Sequence, residues 1–127
     1  DFFNDAPKRI ASSHLVICRA GASTIAELSA IGRPAILVPY KYAIDDHQLL
    51  NAKAYEETGS GWLIKEDDFT NLVLEQKLKS LFLNPGKLKA AQLASKKFGR
   101  REASSEIAKI IDELIDTEVK LAGRLTI

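Results

Sequence analysis

Short unbroken apolar runs alternate along the chain with longer segments whose apolar positions recur every three or four residues. The short runs are Leu15-Val16-Ile17-Cys18, Ala35-Ile36-Leu37-Val38 and Gly61-Trp62-Leu63-Ile64. Runs of this length suit strands of a parallel sheet covered by helices on both faces. Helical segments surround them. Asn4 or Asp5 caps a short helix with Pro7 in its first turn, running to about Ser12. Residues 24–31 form a second helix, ended by Gly32 and barred from continuing by Pro34. Asp45 or Asp46 caps a third, over residues 47–58. An acidic turn from Glu66 to Asn71 leads into a fourth, over 72–83, which Asn84-Pro85-Gly86 breaks. Residues 87–98 form a fifth, ended by Gly99. Residues 102–115 form a sixth, with Ile107, Ile110, Ile111 and Leu114 on one stripe. Residues 116–127 carry no strong pattern.

The order strand, helix, strand, helix, strand, then helices predicts an α/β fold with a Rossmann-like parallel sheet, about half of a doubly wound domain. Three strands alone leave open sheet edges, so further sequence or another chain is expected to cover them.

Composition narrows the function classes. At 127 residues the chain is one domain. Lysine plus arginine number 18 against 17 acidic residues, a net charge of +1. The split is mild, with 7 basic against 10 acidic side chains in residues 1–70 and 11 against 7 in 71–127. Nucleic-acid binding driven by counterion release is therefore excluded as an expectation. One cysteine forbids an intrachain disulfide, and with only two histidines a Cys/His metal centre is not expected. No run approaches the roughly 18 apolar residues of a membrane span. The chain lacks methionine altogether, which suggests a piece of a longer protein or a gene that has lost its front half.

In open parallel sheets ligands sit beyond the carboxyl ends of the strands, and two polar segments fall there. The first is Arg19-Ala20-Gly21-Ala22-Ser23-Thr24. Its small residues admit a close ligand, and the helix that follows offers free N–H groups to an anion, most simply a diphosphate. It matches neither the Walker A loop nor the GxGxxG pattern. Thr24-Ile25-Ala26-Glu27 reads as a capping box, or else Glu27 is a carboxylate placed to accept two hydrogen bonds from a ribose diol. The second segment, Tyr40 to Gln48, offers Asp46, His47 and Gln48 in a row for the hydroxyls of a sugar, unless Asp45 or Asp46 merely caps the helix and the others are solvated. Cys18, within an apolar run, reads as an inert structural thiol. Lys96, Lys97, Arg100 and Arg101 read as a solvated helix end.

Together these blocks resemble a known family. Cys18 to Glu27, then Gly32-Arg33-Pro34-Ala35-Ile36-Leu37-Val38-Pro39, then Asp46-His47-Gln48 with Asn51-Ala52, are similar to the donor-binding domain of the glycosyltransferase family 28 enzymes of peptidoglycan synthesis. The resemblance runs from about Phe2 to about Leu114. It implies a GT-B fold, with this chain as the later part of the C-terminal domain: residues 1–115 the partial UDP-sugar-binding domain, 116–127 a tail. It implies transfer of N-acetylglucosamine from UDP-GlcNAc to a lipid-linked MurNAc-pentapeptide, with inversion, without a metal cofactor, at the cytoplasmic face of the bacterial inner membrane. It places Gly21, Ala22, Ser23, Thr24, Ile25 and Ala26 beside the diphosphate and ribose, Glu27 on the ribose hydroxyls, His47 and Gln48 on the sugar, and the Phe3 backbone at the uracil edge. Arg19 receives no role. The family's acceptor domain and its proposed base have no counterpart here, so no residue is expected to be catalytic and the chain is expected to be inactive alone. Two other readings stay open: the donor subunit of a two-chain transferase, and a decayed, non-catalytic fragment.

Overall fold

Three parallel strands, β1 (Val16–Cys18), β2 (Ala35–Leu37) and β3 (Gly61–Leu63), lie side by side in sequence order. The structure is a computed structural model and describes residues 4–125. Val16 pairs with Ala35 and Ala35 with Gly61, so the strands are in step and end at one edge of the sheet. All three residues of β2 are buried, as the unbroken apolar run predicts for a central strand. Each strand is one residue shorter than predicted: Leu15, Val38 and Ile64 lie just outside them.

Helix α1 (Ala6–Ala11) precedes β1, and helices α2 (Ala22–Ile31) and α3 (His47–Glu57) make the two crossovers. One face of the sheet, through Val16, Cys18, Ala35, Leu37 and Leu63, packs on Ile25 and Leu28 of α2 and on Ala52 and Tyr55 of α3. On the opposite face, Ile36, Trp62 and Ile64 pack against Val73, Leu74, Leu78 and Leu81 of helix α4 (Asn71–Phe82) and against Leu88. Ile17 shares that second face but is 43% exposed, on β1 at the edge of the sheet. This is the open edge expected of so small a sheet.

Three expectations about helices need correction. First, α2 begins at Ala22 with Gly21 as its N-cap, not at Thr24, so Thr24 and Glu27 stand inside the helix and form no capping box. Second, Asp46 occupies the N-cap position of α3 in the left-handed region, at φ 53°, and its side chain makes no cap bond; Asp45 in the 3-10 turn before it is also left-handed, at φ 55°. Third, Gly99 does not end a helix. A single helix α5 runs from Pro85 through Leu125, replacing two predicted helices and taking in most of the segment read as unpatterned.

The reason for Gly99 is steric. A Cβ there would lie 2.5 Å from the Ser29 carbonyl oxygen, so the glycine lets α5 cross α2 closely. Gly32, at φ 79°, does end its helix as predicted, in the left-handed cap that favours glycine. The crossing is fastened by polar groups. The Tyr55 hydroxyl donates to the Arg33 carbonyl at 2.7 Å and shares a hydrogen bond with the Ser95 hydroxyl, which also reaches the Leu28 carbonyl.

Candidate functional site

The carboxyl ends of all three strands open on one side, and the loops that leave them are tied together. From β1, the chain passes Arg19 and Ala20 to Gly21 and enters α2. Gly21 has φ −64° and ψ 151°, extended backbone that any residue adopts. An added Cβ there would meet only the Thr24 Oγ1, 4.0 Å away, so the space beside Gly21 is open. No side chain caps this helix end. The first-turn N–H groups of Ala22, Ser23 and Thr24 are therefore left without intrahelical acceptors, at the positive end of the helix dipole. That arrangement suits an anion.

Glu27 lies further along α2, exposed. Among the described residues its carboxylate has no hydrogen-bond or ion-pair partner, so both oxygens remain available.

Gln48, in the first turn of α3, joins the first two loops. Its Oε1 accepts the Tyr40 N–H at 2.8 Å and the Ala20 N–H at 3.3 Å. Two N–H donors at one atom identify that atom as the carbonyl oxygen. The Nε2 group has no protein acceptor among the described residues and is left to donate outward. One turn on, Asn51 donates from Nδ2 to the Ala20 carbonyl at 3.0 Å. Both backbone polar groups of Ala20, a fully buried residue, are thus held by α3 side chains. His47, by contrast, is exposed and not drawn into the loops; its neighbour is Asp45, 3.9 Å away.

The third loop brings residues that sequence reasoning missed. Glu66 opens the 3-10 turn Glu66–Asp68 after β3. Its Oε1 accepts from Arg19 Nη2 at 2.9 Å, and its Oε2 accepts the Lys41 N–H at 3.1 Å. The Arg19 guanidinium also approaches the Val38 carbonyl and lies 5.6 Å from the Tyr40 ring centroid. Hydrogen bonding first from Arg19 and then from the Lys41 backbone holds the Glu66 carboxyl below the usual glutamate range. Lys41 Nζ pairs with Asp67 at 2.9 Å, and that bond and charge raise the ammonium pKa. Tyr40, Lys41, Asp46, Lys65, Glu66 and Asp67 border a cleft of about 170 Å³ here. Glu66 read in the sequence only as part of an acidic turn, since nothing local links it to a residue 47 positions earlier.

Cys18 faces the core, where burial pushes its thiol up to about 11. Its place in the core fits the reading of a structural thiol. Among the described residues no group of three or more His, Cys, Asp or Glu side chains is placed to hold a metal ion, and no helix is long and apolar enough to cross a membrane. Phe3 lies outside the described residues.

Residues 1–110 match the model of the glycosyltransferase family 28 C-terminal domain. The chain is 49% identical over 117 residues to the UDP-N-acetylglucosamine–N-acetylmuramyl-(pentapeptide) pyrophosphoryl-undecaprenol N-acetylglucosamine transferase of Paramagnetospirillum magneticum, covering 92% of this chain and 32% of that one. The protein of the same name from Rhodospirillum rubrum is 43% identical over 118 residues, covering 93% and 30%. The crystal structure of Acinetobacter baumannii MurG superposes with a TM-score of 0.75 at 30% identity, covering 88% of this chain and 33% of that one. The chain thus spans about a third of the length of these relatives.

Proposed function

This chain belongs to the glycosyltransferase family 28 C-terminal domain family, and on that premise we propose that it is the UDP-GlcNAc-binding portion of an inverting transferase that adds N-acetylglucosamine to lipid-linked MurNAc-pentapeptide. The observation that carries the reading is the pairing of an uncapped α2 N-terminus with a Gln48 whose oxygen fastens two loops while its nitrogen stays unengaged. Gly21, Ala22 and Ser23 leave room and N–H donors for the diphosphate. Thr24, Ile25 and Ala26 complete the turn beside the ribose, and the unpartnered Glu27 carboxylate accepts the two ribose hydroxyls. Gln48 donates from Nε2 to a sugar oxygen, with His47 beside it. Phe3 presents its backbone to the uracil edge.

In the reaction the acceptor hydroxyl attacks the anomeric carbon, the glycosidic bond to UDP breaks, and negative charge grows on the departing diphosphate. Fixed N–H dipoles at the α2 terminus stabilise that charge where it develops. Gln48 orients the sugar for attack. No residue among the described ones is assigned as the base that takes the acceptor's proton. That group and the lipid-linked acceptor are met by another domain or a separate subunit, at the cytoplasmic face of the membrane. Residues 1–115 make up the donor unit, and 116–127 a tail appended to it.

The test is a chimera in which residues 1–115 replace the matching segment of the Paramagnetospirillum magneticum enzyme. Transfer from UDP-GlcNAc, in preference to UDP-glucose, is the expected result. Glu27→Ala in that chimera is expected to lower kcat/KM by about a hundredfold, through lost ribose contacts. A folded chimera that binds no UDP-GlcNAc overturns the reading.

A further inference from the structure

We propose that Glu66 is a positioning residue for the donor site: its carboxylate clamps Arg19 and the Lys41 backbone so that the loop entering α2 is held in its ligand-ready place. The inference rests on the donor-site reading above. Neither the family resemblance nor the donor-site reading gives Glu66 a part.

The geometry is that of a bridge. Glu66 stands on the loop after β3, yet its two oxygens go to two other loops, Oε1 to the Arg19 side chain after β1 and Oε2 to the Lys41 N–H after β2. Lys41 and Asp67 form a second tie between the β2 and β3 loops. Arg19 immediately precedes Ala20, whose N–H and carbonyl are held from the α3 side by Gln48 and Asn51. The segment leading to the α2 N-terminus is therefore gripped from both sides. Each grip comes from an element remote in sequence.

Exposure says what this arrangement is for. The Arg19 side chain is 49% exposed and that of Glu66 32%. Pairs so open to water contribute little to folding stability. A contact that adds little to stability, yet joins the loops at the ligand end of the sheet, acts through loop position. Misplacing binding groups by an ångström or less is costly to affinity and rate.

Two measurements test this. In the full 127-residue chain without ligand, Glu66→Ala is expected to speed amide hydrogen exchange at Lys41 and at Ala20, whose N–H groups are bonded to Glu66 and Gln48, while exchange in the α2–α5 core and the Tm stay unchanged. In the chimera, Glu66→Ala is expected to raise KM for UDP-GlcNAc about tenfold with a smaller change in kcat, and Glu66→Gln, which keeps an acceptor for Arg19 but not one for the Lys41 N–H, to fall between. Unchanged loop exchange overturns the clamp, whatever the fate of the donor-site reading. Unchanged or tighter UDP-GlcNAc binding overturns it too, since that is the behaviour of an arginine that Glu66 merely sequesters. A parent chimera that binds no UDP-GlcNAc overturns the donor-site reading, and the positioning role with it.

Discussion

Gln48 shows how a side chain's chemistry is divided by its surroundings. An amide offers one acceptor and one donor group, and here backbone N–H groups of Ala20 and Tyr40 occupy the acceptor. Two kinds of substitution therefore separate two jobs. Gln48→Ala leaves both N–H groups without this partner and is expected to cost about 1–2 kcal/mol of stability in urea unfolding. Gln48→Glu retains an acceptor oxygen, so most of that stability is expected to remain while the outward N–H donor is lost. Equal losses in the two variants would show that the oxygen bonds hold nothing. Glu27 is the contrasting case. The capping box that the spacing allowed would have used its carboxylate locally. Because α2 starts two residues earlier, at Ala22, the carboxylate lies free on the helix surface.

At the scale of elements, α5 is the part of the fold that local rules misjudged. Glycine inside a helix costs about 1 kcal/mol relative to alanine, which is why Gly99 reads as a stop. The helix passes through it because the crossing with α2 at Ser29 leaves no space for a Cβ, and the packing gained there outweighs the propensity lost. Gly99→Ala is accordingly expected to lower stability by about 1–3 kcal/mol, as overpacking does, despite the better propensity. Gly86 is the control: a Cβ there meets nothing within 4 Å, so Gly86→Ala is expected to be neutral or stabilising by up to about 1 kcal/mol. Thermal unfolding of both variants decides it. A Gly99→Ala variant as stable as the parent would mean that α5 does not seat against α2 as described. Further along, Ile107, Ile110, Ile111 and Leu114 fall on one stripe as the spacing predicts, and they are half exposed or more.

The molecule as a whole has opposite sensitivities to acid and alkali. Glu66 has its carboxyl pKa lowered, so the clamp is intact above the ordinary glutamate value and is lost as pH falls through the lowered one. Because the pair is exposed, loop order rather than global stability changes there. Tyr55 and Cys18 behave the other way. Burial raises the phenol to about 12 and the thiol to about 11, so both stay protonated in the folded chain after the unfolded chain has lost those protons. Stability is unaffected below their ordinary values and falls as pH climbs from those values towards the raised ones. Urea midpoints are expected to hold level near neutrality and to drop above about pH 9. A level profile to about pH 11 would mean that neither group is buried in the folded chain.

The strands, the crossovers and the two loops beyond the carboxyl ends of β1 and β2 were legible in the sequence because each rests on a local cause: unbroken apolar runs, a left-handed glycine at position 32, prolines at 34 and 39. The family motif added the proposed donor-site residues on α2 and α3 for the same reason, since each of its blocks is contiguous. What lay beyond reach was every contact across sequence distance. That Glu66 reaches Arg19, that Ala20 is held by Gln48 and Asn51, and that Gly99 sits against Ser29 follow from how the sheet and helices pack. No spacing rule encodes a contact between residues 28 to 70 positions apart when packing alone sets their geometry.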